Sequence, residues 1–191
     1  MFMNTMIILA AILIALLGAI IVIYNNLVAL KNSIKKNWAN IDVLLKQRNS
    51  ELPKLIDACK EYMQFESETL NSIVEARSKA MAAQSINDLG SLGNAESQLR
   101  LGLNKLFALA ENYPDLKTNN SFQQLQTRIS GLENDISDRR ELYNESVNLN
   151  NIRIEQFPDL IIAKMFNFVE FPLLHFSEQE TQDVNIKNLF C

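Results

Sequence analysis

Few of these 191 residues carry side chains that do chemistry, and their spacing works against it. His175 is the single histidine, so a Ser–His or Cys–His arrangement has one available base, just before a polar stretch. A carboxylate-bridged metal pair in a helix bundle takes Glu-x-x-His on two helices, which one histidine does not supply. Cys59 and Cys191 form neither a CxxC nor a zinc spacing, and no Gly-rich phosphate loop occurs. Carboxylates gather at Glu66 and Glu68 and at Asp135, Asp138 and Glu141, where helical spacing makes them solvated or ion-pairing faces. The expectation is no catalytic residue, no cofactor, no metal ligand and no small-molecule substrate: the chain is not read as an enzyme.

What the chain does have is surface. Met6 to Ile23 reads MIILAAILIALLGAIIVI, without charge, proline or a polar side chain. As a helix rising about 1.5 Å per residue it spans roughly 27 Å, the thickness of a bilayer's hydrocarbon core. A cleaved signal would have a basic start and a shorter apolar run, so a retained transmembrane helix is expected. The first charged side chains, Lys31, Lys35 and Lys36, all follow it. By the positive-inside rule this predicts a cell inner-membrane protein, single-pass, with the N-terminus out and the body cytoplasmic. Within the span, Ala11, Ala15, Gly18 and Ala19 make a small-residue stripe suited to helix packing in lipid. Lys31, Lys35 and Lys36 are placed to meet anionic headgroups, and Tyr24 sits where interfacial aromatics gather.

Charge is uneven. Residues 31–60 hold seven bases against three acids, a local +4, so with a net charge of −4 the rest carries −8. An acidic body argues against nucleic acid as partner. Cys59, on an apolar helical face, is expected to be a small core residue, and Cys191 a bystander.

Beyond the membrane the pattern stays helical. Leu27, Leu30, Ile34, Trp38, Ile41 and Leu45 recur at three- and four-residue steps, so the membrane helix is expected to run on as the first bundle helix, with a kink or short break at Pro53. A second helix from Leu55 leads to a turn-rich loop at Ser85 to Asn94, and a third closes at Tyr113-Pro114. The fourth, capped by Asn120 or Ser121, has a seam running from Phe122 through Leu125, Ile129, Leu132, Ile136, Tyr143, Val147, Asn150 and Ile154 to Phe157. Arg139 and Arg140 meet that seam and are expected to snorkel or to pair with acids such as Glu75 or Glu66. Past Pro158 an apolar piece has Asn167 where a left-handed turn fits, and Phe166, Phe168, Phe171 and Phe176 form a candidate interaction surface for the bundle, a second copy or the bilayer.

The organisation expected is all-α: a short extracytoplasmic N-terminus (1–5), a transmembrane helix (6–24) continuing into a long antiparallel helix bundle (25–158), an apolar segment (159–176) and a polar flexible tail (177–191).

Specific blocks resemble the LemA family. They are Tyr24 to Leu55, VEARSKA at Val74 to Ala80, ENYPDLK at Glu111 to Lys117, F-x-x-L-Q at Phe122 to Gln126, ENDI at Glu133 to Ile136, R-x-x-YN at Arg140 to Asn144, and Phe157-Pro158. The resemblance departs at Asn167, where the family commonly has Gly, and in PLLHF. It implies a bacterial, LemA-like four-helix bundle on one membrane helix, with no established enzymatic activity and with relatives linked to membrane organisation. The function expected is a membrane-anchored scaffold, homo-oligomeric and in contact with membrane lipid. The alternative is a membrane-tethered adaptor that recruits another envelope or signalling protein.

Overall fold

The computed structural model describes residues 2–176, which are helical apart from short turns and an extended C-terminal segment, with no strand among them. The tail expected at 177–191, with Cys191, lies outside the described residues. The helices are α1 (Phe2–Tyr62), α2 (Ser67–Ser85), α3 (Leu89–Ala110), α4 (Pro114–Lys117), α5 (Asn120–Glu155) and α6 (Asp159–Met165). Two compact units divide the described residues: those up to Ala39 with Glu141–Leu173, and Asn40–Arg140 with Leu174 to Phe176.

The second unit is a four-helix bundle. Its core joins Leu52, Leu55, Ile56, Cys59 and Met63 of α1 to Leu70 and Ile73 of α2, Leu99, Leu103 and Leu106 of α3, and Phe122 and Ile129 of α5. These residues recur every three or four positions, so each helix turns one apolar face inward and the burial holds four amphipathic helices together.

Several boundaries differ from the sequence expectation. Pro53 does not break the helix: α1 runs through it to Tyr62, and the break falls at residues 63–66. Burial of Leu52, Leu55, Ile56 and Cys59 on one face rewards continuation. The loop expected at Ser85 to Asn94 shrinks to Ile86, Asn87 and Asp88. Asn87 takes a left-handed φ of 54°, and the Asp88 carboxylate caps α3 by accepting the Ser91 amide at 3.1 Å. Asn119, and not Asn120 or Ser121, caps α5, accepting the amides of Ser121 and Phe122 at 2.9 and 3.1 Å.

In the first unit, Leu27 packs with Ile154 of α5 and with Ile162 and Ala163 of α6; Ile20, Ile23 and Phe168 join them. Trp38 is half-buried against Tyr143, ring centroids 5.8 Å apart. The seam of α5 ends one step early, because the helix stops at Glu155 and leaves Phe157 80% exposed. Asn167 has the left-handed φ expected of it, 54°, and the Phe168 amide closes the end of α6 on the Ala163 carbonyl at 2.9 Å.

Candidate functional site

The N-terminal half of α1 is long and apolar enough to cross a membrane, and no part of that window is buried by the other described residues. Ala11, Ala15, Gly18 and Ala19 are all exposed on it, and a side chain added at Gly18 would meet nothing within 4 Å. The small-residue stripe is therefore open along its length.

Lys31, Lys35 and Lys36 follow as exposed residues, with the Lys31 ammonium 5.9 Å from the centre of the Phe168 ring. Of the other bases of the basic stretch, three are exposed but ion-paired and the fourth is buried. Lys46 pairs with Asp42 at 2.6 Å, Lys54 with Glu51 at 3.0 Å and Lys60 with Asp57 at 3.7 Å, while Arg48 is wholly buried. The three lysines nearest the apolar run are thus exposed together, and the exposed lysines farther along α1 each have an acid beside them.

The four phenylalanines have different partners. Phe166 and Phe168 pack on Tyr24, ring centroids 4.7 and 6.0 Å away. Phe171 is half-buried and held by its backbone: Asn151 donates to its carbonyl at 3.0 Å and accepts its amide at 3.1 Å. Asn150 donates to the Val169 carbonyl at 3.3 Å and Tyr143 to that of Pro172 at 3.0 Å, so side chains of α5 bond the extended segment where a strand partner would. Phe176 belongs to the other unit, its ring 3.9 Å from the Arg140 guanidinium. Arg140 therefore faces an aromatic ring; of the acids expected to meet it, Glu75 pairs with Lys79 at 2.8 Å, and Glu66 accepts from Tyr113.

Gly93 permits the close approach of this segment to α3. A Cβ there would lie 1.8 Å from the His175 carbonyl oxygen, so only glycine lets the backbones meet. His175 itself has an exposed side chain.

Sequence reasoning missed the buried polar centre of the bundle. Arg48 grips Glu96 with two nitrogens at 2.6 and 2.7 Å and reaches Glu133 at 2.8 Å. Burial works against the Arg48 charge, but attraction to Glu96 and then to Glu133 outweighs it and holds the guanidinium above its ordinary range. Burial is also the main influence on Glu133. It raises that carboxyl above the ordinary 4.5; Arg48 offsets this in part and Glu96 adds repulsion. A signal was present in the sequence: Arg48 continues the steps Ile41, Leu45 toward Leu52, and Glu96 lies between Leu92 and Leu99, both on buried seams. Among the described residues no group of three or more His, Cys, Asp or Glu is placed to hold a metal ion.

Comparison with known proteins gives a consistent result. A family model described as the LemA family matches residues 37–188. The chain is 31% identical to Protein LemA of Metamycoplasma hominis over 168 residues, covering 86% of this chain and 74% of that one. It is 21% identical to the magnetosome protein MamQ 2 of Paramagnetospirillum magneticum over 178 residues, 81% of this chain and 65% of the relative. To the magnetosome protein MamQ of Magnetospirillum gryphiswaldense it is 19% identical over 186 residues, 85% and 68% of the two chains.

Proposed function

This chain belongs to the LemA family, and on that premise we propose that it is a single-pass membrane-anchored helical scaffold that self-associates and takes part in membrane organisation. One observation carries the reading: a single continuous helix, α1, has an uncharged and uncovered apolar half at one end and a fully packed core face at the other. The apolar half has no place in water and suits lipid. The exposed lysines at its C-terminal end support insertion with the N-terminus outside and the bundle in the cytoplasm, at the inner membrane.

The open stripe of Ala11, Ala15, Gly18 and Ala19 supports association within the bilayer, where small residues let two helices approach closely. A non-catalytic role accords with the fate of the reactive groups. Cys59 is buried in the core, and the Arg48 centre is closed on itself by ion pairs. The magnetosome proteins among its relatives accord with a part in organising membranes.

Extraction of the full chain with its native lipids, followed by mass measurement and imaging, tests the proposal. Particles with several copies are expected. A strict monomer at every concentration, or cross-linking in cells that recovers one other polypeptide and no ladder of the chain itself, would overturn self-association and favour the adaptor.

A further inference from the structure

The anchor's end is not bare. Ile20 lies about 5 Å inside the end of the apolar run at Ile23, counting 1.5 Å per residue. Yet Ile20 and Ile23 pack with Leu27, Ile154, Phe168 and the inner face of α6, Ile162 and Ala163. Tyr24, one residue past the run, stacks on Phe166 and Phe168. Hence α6 and its following turn sit at the depth where the apolar helix leaves lipid.

The outward side of this element is apolar. Ile161 is 57% exposed and Met165, four residues on, 58%; Phe157, Phe166 and Val169 flank them, also exposed. Among the described residues nothing covers this face. Of its charges, the Asp159 carboxylate is buried and paired with Arg153 at 2.8 Å, Lys164 is exposed on a long stem, and Glu155 and Glu170 are exposed at its edges. The Lys31 ammonium lies beside Phe168 on the neighbouring turn of α1. Apolar side chains with Lys164 and Lys31 beside them, at the level of an interfacial tyrosine, match the acyl-to-headgroup boundary.

We propose that α6 with Phe157, Phe166 and Val169 is a second membrane contact. Its occupant is the bilayer interface of the leaflet from which α1 emerges. The inference rests on the reading of α1 as membrane-spanning and adds to it. Besides crossing the lipid once, the protein lays a short helix on the surface, which holds the end of α5 against the membrane.

Site-specific labelling of the full chain in liposomes of zwitterionic and anionic phospholipid tests this. In a Cys191→Ser background, with Cys59 buried, single cysteines at Ala15, Met165 and the exposed Glu145 of α5 are coupled to an environment-sensitive fluorophore. The expected result at Met165 is quenching by doxyl-labelled lipid and protection from aqueous iodide, as at Ala15, with the reverse at Glu145. An Ala15 label quenched by lipid with a Met165 label quenched by iodide overturns the α6 contact and leaves the anchor standing. An Ala15 label quenched by iodide removes the anchor and the inference together. A Met165 label protected from both quenchers means that a second copy covers the face, and also overturns the proposal.

Discussion

The Nε–H of Arg77 donates to the main-chain carbonyl of Asn49 at 3.1 Å, and that carbonyl is the one that Pro53, four residues on, has no N–H to bond. A helix crosses its own proline because a side chain from α2 replaces the missing donor. Arg77→Leu is expected to cost about 1–3 kcal/mol, the cost of a partly buried acceptor left unmet. In a Pro53→Ala background, where an amide returns, the same change should cost about 1 kcal/mol less. Thermal unfolding of the four proteins in detergent measures the cycle, and strict additivity would refute the replacement.

The two acids on Arg48 are not equivalent. Glu96 holds the guanidinium with both oxygens, so Glu96→Gln removes the bidentate partner of a buried charge and should destabilise by about 3–5 kcal/mol. Glu133 carries the second negative charge, and Glu133→Gln should be neutral or stabilising by about 1 kcal/mol at pH 7. Chemical denaturation of both variants separates the two roles.

A pH effect follows from the same carboxyl. Its folded-state value is raised above 4.5, so between the two values the folded protein holds a proton that the unfolded chain has released. Stability from this group is therefore fully present below the unfolded value and is lost as pH rises through the folded one. Glu133→Gln should abolish that component of the stability profile. A profile unchanged by the substitution would show that Glu133 has no raised value.

At Gly93, substitution by Ala brings a methyl group against the His175 carbonyl. A loss of about 1–3 kcal/mol is expected from forced overpacking. Detachment of the segment around Leu174 should show as faster limited proteolysis there. Unchanged cleavage together with unchanged unfolding would place the segment elsewhere in solution.

Cys59 should be inert. Burial pushes its thiol up to about 12, so at neutral pH it is neither ionised nor accessible. With Cys191 replaced by Ser, a thiol reagent should react only after denaturant is added; rapid labelling of the folded protein would contradict the burial.

Periodicity and charge alone determined the helical class, the uncharged N-terminal run, the long α5 seam and the left-handed turn at Asn167. Each depends on neighbours within a few residues along one chain, so local sterics and one amphipathic face suffice to specify it. Tertiary structure decided what depends on residues far apart. Pro53 looked like a break because its missing donor is local, whereas the compensating Arg77 comes from another helix. Arg48 looked like one more base of a membrane flank, until folding brought Glu96 and Glu133 to it. The partners of the phenylalanines were equally hidden: Phe166 and Phe168 meet Tyr24, and Phe176 meets Arg140. Burial and pairing across helices are properties of proximity in space, which spacing along the chain does not encode.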